Sequence, residues 1–181
     1  AEEGLEICFL PLWLIIVIAF GDSSWSNAQN HKSQSGYLVY FGTKDALTTS
    51  GGYCTLADWR SHRLKRACDS TLYAESMGGR EACVNGVWCR EMLRESCFQE
   101  YRATFPNVKV VEGSFMLHYV TDCKALYDLV QGSRLPENRR AAIEVLAIRE
   151  MVSEGIEDDA DFDLEVDGKL PDPPVREHCH W

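Results

Sequence analysis

With 181 residues, of which 45% are hydrophobic and 25% charged, the chain has the size and composition of one globular domain with a short tail. Its net charge of −10 is concentrated near the C-terminus, since residues 150–181 carry a net −9 and residues 1–149 only −1. The acidic total therefore does not exclude nucleic acid as a partner, because the main part of the chain is nearly neutral and contains local basic clusters.

The first apolar segment, residues 7–20, predicts a buried β-strand. It has about 14 residues and contains Pro11, whereas a membrane-spanning helix needs about 20 apolar residues. Acidic residues precede it, so it lacks the basic start of a secretory signal. Leu14–Ile18 is a continuous, mostly β-branched run, which is typical of a central strand covered on both faces. We therefore expect no membrane partner.

The eight cysteines include no C-x-x-C pair. Three of them fall among apolar residues in one predicted helix. This pattern favours reduced, buried thiols over a disulfide framework. We expect an intracellular protein, cytoplasmic or nuclear and not secreted.

Two further strands complete a predicted three-strand meander. After a polar loop at 21–27, the stretch Ser35–Gly42 is rich in aromatic and β-branched residues and is bracketed by glycines. Tyr53–Trp59 is the third predicted strand, following a connection at 44–52. We interpret Trp25 and Trp59 as core residues and not as base-stacking residues.

A basic stretch and a long helix come next. Ser70 and Thr71 are favourable N-cap residues for a helix that continues to about Cys97. Its glycines weaken an isolated helix but allow close packing on a sheet. The basic stretch before it is either a solvated edge or a phosphate-contacting surface. The candidate nucleic-acid contacts in it are Arg60, Arg63, Lys65 and Arg66.

The second half of the chain predicts one strand and two helices. Leu117–Thr121 is the strand, Lys124–Val130 a short helix, and Ala141–Val152 a longer one that follows Pro136. From residue 154 the chain becomes acidic. The predicted organisation is an N-terminal lead-in at 1–12, one domain at 13–154, and an acidic C-terminal tail at 155–181 that is disordered or truncated.

The order β-β-β-α-β-α predicts an α/β domain in which the first and fourth strands are parallel neighbours. Asp22 and Asp122 each follow a predicted strand at its carboxyl end, where open α/β sheets place their sites. Glu75 is predicted in the first turn of the intervening helix and is expected to lean toward the same edge. The structural alternatives are an Asx-turn at Asp22, a favourable helix N-terminal charge at Glu75, and a helix cap at Asp122.

The joint order of several short motifs resembles the ribonuclease H domain of copia-type retrotransposon polyproteins. That family has an Asp-x-x-Trp turn after strand one, a Ser-x-Ser-Gly-Tyr second strand, a Trp before polar residues, and a Ser-Thr-x-Ala-Glu helix start. The counterparts here span about residues 14–154. They are Asp22–Trp25, Ser33–Tyr37, Trp59–His62, Ser70–Glu75, Thr121–Asp122 and Ile148–Glu150.

The resemblance implies a ribonuclease H-like mixed sheet, a three-strand meander plus parallel strands, with flanking helices. It implies a metal-dependent endonuclease that hydrolyses the RNA strand of RNA–DNA hybrids. Asp22, Glu75 and Asp122 would be both the catalytic and the metal-binding residues, with two Mg²⁺ (or Mn²⁺) ions. Partners would be the hybrid and the other parts of the polyprotein, reverse transcriptase and integrase.

The chain also departs from the family pattern. Ser24 stands where the family has a second acid, and nothing after residue 154 matches its fifth strand and Leu-Ala-Asp segment. The nearest substitutes for the missing fourth carboxylate are Asp163 and Asp167, around a candidate short strand at 162–166. A catalytically inactive remnant, kept as a structural or nucleic-acid-binding module, is the alternative function. The sequence His178-Cys179-His180 is either a metal ligand set or a disordered terminus.

Overall fold

The computed structural model describes residues 14–28, 32–48, 51–98, 115–157 and 163–166. Its strands, in chain order, are β1 (Ile16–Ala28), β2 (Lys32–Gly42), β3 (Cys54–Arg63), β4 (Leu117–Thr121) and β5 (Asp163–Val166). The α-helices of these ranges are α1 (Thr71–Cys97), α2 (Lys124–Gln131) and α3 (Arg139–Glu157). A short 3-10 helix, Lys44–Leu47, follows β2.

All five strands belong to one mixed sheet of order β3-β2-β1-β4-β5. β1, β2 and β3 form the antiparallel meander, and β4 runs parallel to β1 on its other side. The connection from β3 through α1 to β4 is the crossover that a parallel pair requires. The predicted α/β fold class, with parallel first and fourth strands, is confirmed.

β1 is longer than the sequence suggested. Residues 21–27, predicted as a polar loop, continue the strand, and Asp22 pairs with Gly36 of β2. The side chains of a strand alternate between the two faces of the sheet, which explains why the loop prediction was wrong. Ser23 and Ser35 are buried on the α1 side, and their neighbours in each strand face the other side. The polar composition hid a strand that extends beyond the apolar core.

β5 and the end of α3 lie beyond residue 154, where the sequence predicted an acidic tail. β5 pairs in parallel with β4 at the edge of the sheet, from the pair His118–Asp163 to the pair Thr121–Val166. Its alternating acidic and apolar residues gave little apolar signal.

α1 packs on one face of the sheet at close range. A Cβ added to Gly78 would lie 2.2 Å from the Ser23 Oγ, and one added to Gly86 would lie 2.8 Å from a Leu117 methyl. Between α1 and the sheet lies a core cluster that includes Val17, Ala19, Val39, Cys83, Leu117 and Tyr119. The helix glycines therefore permit the close approach that the sequence predicted.

The opposite face of the sheet is covered only in part. Ile16, Ile18 and Val120 are buried there, packed against Phe20, Tyr40 and the 3-10 helix residues Ala46 and Leu47. Toward the carboxyl ends of β1 and β4 this face opens into a cleft. Among the described helices, none is long and apolar enough to cross a membrane. The six cysteines of the described ranges are free thiols.

Candidate metal centre

Asp22 and Asp122 come from neighbouring parallel strands. Asp22 lies within β1, whose pairing with β4 runs from Val17–Leu117 to Phe20–Val120. Asp122 follows the last residue of β4 directly. Both residues are exposed, and both line the cleft on the open face of the sheet.

Glu75 reaches this pair from α1. The Ser70 hydroxyl oxygen accepts a hydrogen bond from the Tyr73 backbone N–H at 3.2 Å, which fixes the start of the helix. Glu75 is the fifth residue of α1, so it lies in the second turn. The predicted position in the first turn was wrong by one residue or so. Only 8% of its surface is exposed. The interpretation of Glu75 as a favourable charge in the first turn is therefore weakened.

The three predicted carboxylates converge. One carboxylate oxygen from each of Asp22, Glu75 and Asp122 lies within 4.8 Å of the others. Asp22 and Asp122 are one hundred positions apart in the sequence, and the parallel pairing of β1 with β4 brings them together. Their convergence was predicted from the strand ends, and their role as ligands stays a prediction.

The cluster is electrostatically unfavourable without a cation. Burial, as the largest cause, and the negative charges of Asp22 and Asp122 together raise the pKa of Glu75 from 4.5 to about 7. A backbone hydrogen bond at Ser23 opposes the shift in part. The arrangement favours either a proton on Glu75 or a positive ion among the three carboxylates.

Local structural roles do not account for the two aspartates. Asp22 is paired within a strand and does not begin a turn. The N-cap of α2 is Cys123, whose side chain makes no capping hydrogen bond, so Asp122 does not occupy that position. The Asx-turn and helix-cap interpretations of these residues therefore fail on geometry.

A fourth carboxylate does not join the cluster within the described residues. Asp163 pairs with His118, four positions before Asp122 along the β4 direction. At about 3.3 Å per residue, that difference places its backbone about 13 Å along the sheet from the level of Asp122. Asp167 and the segment His178-Cys179-His180 lie outside the described residues.

The candidate nucleic-acid contacts divide into two pairs. Arg60 forms an ion pair with Glu81 of α1 at 3.6 Å, and Arg66 forms one with Glu144 of α3 at 3.7 Å. Both glutamates therefore compete with phosphate for these guanidinium groups. The other two candidates, Arg63 and Lys65, are exposed.

The tryptophans interpreted as core residues are on the surface. Trp25 is 48% exposed, and its indole N–H donates to the Cys68 carbonyl at 3.0 Å. Trp59 is 64% exposed. It sits on the open face of β3, where the described residues place no covering helix. The prediction that both tryptophans belong to the core was therefore wrong. A sequence pattern alone does not reveal which face of a strand lacks a covering element.

A cleft of about 470 Å³ joins the carboxylates to the open face of the meander. Asp22 and Asp122 lie on its wall. Further lining residues come from the end of β4 and from the interior of β1, β2 and β3. They include Phe20, Gly36, Leu38, Trp59, Ser61 and Val120. The sequence did not identify Leu38, Trp59 or Ser61 as site residues.

Neither a protein-family model nor a curated protein matches the chain. Solved structures do. The N-terminal RNase H domain of a Mycobacterium tuberculosis protein, solved as a fusion with maltose-binding protein, has a TM-score of 0.50 and 12% identity over 83% of this chain and 85% of that chain. RNase H1 from the halophilic archaeon Halobacterium salinarum has a TM-score of 0.49 and 12% identity over 83% of each chain.

The foamy viral protease-reverse transcriptase solved with double-stranded DNA has a TM-score of 0.48 and 13% identity, covering 90% of this chain and 87% of that chain. At such low identity a likeness bears on the fold alone. The mycobacterial domain shares the fold of this chain over most of the length of both. Together with the strand order and the crossover helix, it shows that the chain folds as a ribonuclease H-like domain.

Proposed function

We propose that this domain is a divalent-metal-dependent endonuclease that hydrolyses the RNA strand of RNA–DNA hybrids. The observation that carries the proposal is the convergence of Asp22, Glu75 and Asp122 within 4.8 Å, just beyond the paired part of β1 and β4 in a ribonuclease H-like fold. The motif resemblance to copia-type elements supports the choice of substrate. The ribose 2′-hydroxyl is the chemical group by which such a site can distinguish the RNA strand from the DNA strand.

The donor set fits Mg²⁺ or Mn²⁺. Three carboxylates supply hard oxygen ligands, which Mg²⁺ prefers together with water and substrate phosphate. The raised pKa of Glu75 shows that the cluster resists full ionisation without a cation. Two bound ions would activate a water molecule and stabilise the leaving oxygen. Asp22 and Asp122 would hold them from the exposed side and Glu75 from the buried side.

The same resemblance supports a place in a retrotransposon polyprotein, with reverse transcriptase and integrase as neighbouring parts. Free thiols in the described residues and a nucleic-acid substrate fit an intracellular location, cytoplasmic or nuclear. The adjoining genomic sequence tests the polyprotein context directly. A reverse-transcriptase reading frame upstream is expected, and an unrelated neighbouring frame would contradict this part of the proposal.

The direct test compares the chain with its Asp122→Asn variant on a labelled hybrid in Mg²⁺. The substitution removes ligand charge at nearly constant shape, so hydrolysis should be lost while circular dichroism and thermal unfolding stay close to those of the parent chain. Asp128→Asn, at an exposed position of α2 outside the cluster, is the matched control and should retain hydrolysis. Equal hydrolysis by Asp122→Asn and the parent chain would contradict the proposal.

A second candidate function is a non-catalytic module that binds nucleic acid through the same fold. The observation in its favour is that the described residues bring three carboxylates together, while the backbone of Asp163 pairs beside His118 and not beside Asp122. Titration with Mg²⁺ by calorimetry, combined with the cleavage assay, separates the two functions. Hybrid binding without cleavage at saturating Mg²⁺ would assign the chain to this second function.

A further inference from the structure

The open face of the sheet carries two rows of residues that cross three strands. The carboxylate row contains Asp22, Gly36 and Ser61, which are paired across β1, β2 and β3. The neighbouring row contains Phe20, Leu38 and Trp59, which are paired in the same way. We call this second row the apolar ledge. Because residues two apart on a strand share a face, the ledge and the carboxylate row line the same cleft.

The apolar ledge is exposed where it is farthest from the core. Trp59 is 64% exposed and Leu38 is 39% exposed, although both are large apolar side chains in the centre of their strands. Phe20, at the inner end, is anchored by an edge-to-face contact with Tyr40 at a centroid distance of 5.9 Å. The ledge is therefore a fixed surface that extends from the carboxylates to the outer strand of the meander.

We infer that Trp59, supported by Leu38, binds the nucleic-acid strand beside the phosphodiester held at the carboxylates. This inference rests on the proposed function. A nucleic-acid strand whose phosphodiester lies at Asp22 must continue along the protein surface on one side of Asp22 or the other. Two strand spacings and two residue steps place Trp59 about 12 Å from Asp22. A nucleic-acid strand advances about 3.4 Å per nucleotide along its axis, so Trp59 meets it within about four nucleotides.

The chemistry of the face suits a sugar-phosphate strand. An indole ring offers a flat apolar surface to a ribose or a base, and such contacts tolerate different sequences. Alternation along β3 places the exposed Arg63 on the same face as Trp59 and Ser61, with its charge available for a neighbouring phosphate. Arg60 points to the other face, where it pairs with Glu81. The ledge and Arg63 together favour a polyanion whose sugars and bases present apolar faces.

Gly36 has no side chain, so it leaves the cleft open between the carboxylates and the outer strand of the meander. A Cβ built there would meet the Arg60 carbonyl oxygen at 3.4 Å, an ordinary contact, so a side chain can begin at this position without a backbone clash. Such a side chain would project from the strand into the cleft between Asp22 and Ser61. Gly36→Val therefore narrows the cleft between Asp22 and Ser61, and its Cβ makes no close contact with the backbone.

The test measures binding of a fluorescently labelled RNA–DNA hybrid by anisotropy in metal-free buffer, so that the result does not depend on cleavage. Trp59→Ala should raise Kd by about fivefold or more, since loss of an aromatic contact to one nucleotide commonly has an effect of this size. Trp59→Phe should recover much of the affinity. Gly36→Val, with unchanged thermal unfolding, should also raise Kd.

Trp88→Ala is the matched control. Trp88 is 62% exposed, nearly as much as Trp59, but it lies on α1, which packs on the opposite face of the sheet. Its replacement should leave Kd within about twofold of the parent value, a change well below that expected for a lost aromatic contact. If Trp59→Ala and Gly36→Val also bind within that range, the inference is wrong and the ledge serves a different partner. Retained hydrolysis by the parent chain would then show that the proposed function itself stands.

Discussion

At the scale of residues, Glu75 links the stability of the domain to pH. Its pKa is about 7 in the folded chain and near 4.5 in the unfolded chain. Between these values the folded state binds more protons than the unfolded state. The free energy of unfolding of the metal-free protein should therefore fall as pH rises from about 4.5 to about 7. A shift of this size corresponds to about 3 kcal/mol.

We expect Glu75→Gln to stabilise the metal-free protein at pH 8, because an uncharged amide avoids the buried charge and its repulsion from both aspartates. The gain should be nearly lost at pH 4.5, where Glu75 is protonated in the folded state and half protonated in the unfolded state. Urea unfolding in the presence of a chelator, measured at both pH values, gives the two free energies. Glu137→Gln, an exposed replacement between α2 and α3, is the control and should show no comparable gain.

Added Mg²⁺ should reverse the order of the two proteins at pH 8. The ion binds the folded state of the parent chain and stabilises it by mass action, whereas Glu75→Gln has lost one charged ligand. A thermal shift with Mg²⁺ that is equal in both proteins would mean that Glu75 is not a ligand.

The residue scale also shows what the sequence could and could not predict. Asp22 and Asp122 were identifiable because each follows an apolar run, and the carboxyl ends of parallel strands meet at one edge. The exposure of Trp59 was not identifiable, because it depends on which side of β3 lacks a covering element. Composition and periodicity describe a strand but not its tertiary neighbours.

At the scale of elements, the contact between α1 and β1 positions Glu75 next to Asp22. Gly78 is the residue of closest approach, since a Cβ there would lie 2.2 Å from the Ser23 Oγ and 2.9 Å from the Ser35 Oγ. Gly78 follows Glu75 by less than one turn of the helix. A displacement of α1 at this point would therefore move the Glu75 carboxylate away from the aspartates.

We expect Gly78→Ala to destabilise the domain by about 1–3 kcal/mol, the usual cost of inserting a methyl group into a filled contact. In an unobstructed helix the same change would stabilise by about 1 kcal/mol, so the sign is diagnostic. Chemical denaturation measures the difference. Gly36→Ala, where the added Cβ makes only an ordinary contact, is the comparison and should cost less. Stabilisation by Gly78→Ala would contradict the close packing.

The elements differ in how well the sequence identified them. α1 and β4 were predicted within a residue or two, because a good N-cap and a compact apolar run are strong local signals. The extension of β1 through Asp22 was missed, since its buried positions on the α1 side are occupied by glycine and serine. β5 was a candidate short strand in the sequence, but its place in the sheet was missed, because alternating acidic residues obscure the apolar face of a short strand.

At the scale of the whole molecule, charge is divided between a nearly neutral domain and an acidic C-terminal region. Exposed basic residues of the domain should therefore dominate its attraction to a hybrid. We expect the double replacement Arg63→Gln with Lys65→Gln to flatten the salt dependence of log Kd, because fewer counterions are released. The control is Lys44→Gln with Arg139→Gln, two exposed positions outside the cleft. An equal slope in both double variants would place the binding face elsewhere.

The number of carboxylates in the cluster bears on activity. We expect the chain alone to cleave hybrids weakly even with ample Mg²⁺, because three carboxylates hold one ion well but leave the second dependent on substrate phosphate. A variant carrying a family-type Leu-Ala-Asp segment after β5 should cleave faster in the same assay. Equal rates for the two chains would show that the parent already has a sufficient ligand set.

The parallel pairing of β1 with β4 has a consequence for how the site comes into being. Contacts between residues so far apart in sequence form late and slowly, since a long loop must close before they give any stabilisation. No fragment that lacks either strand can assemble the three carboxylates. The appearance of metal binding during refolding should therefore follow, and never precede, formation of the central sheet, which makes the ion a reporter of completed folding.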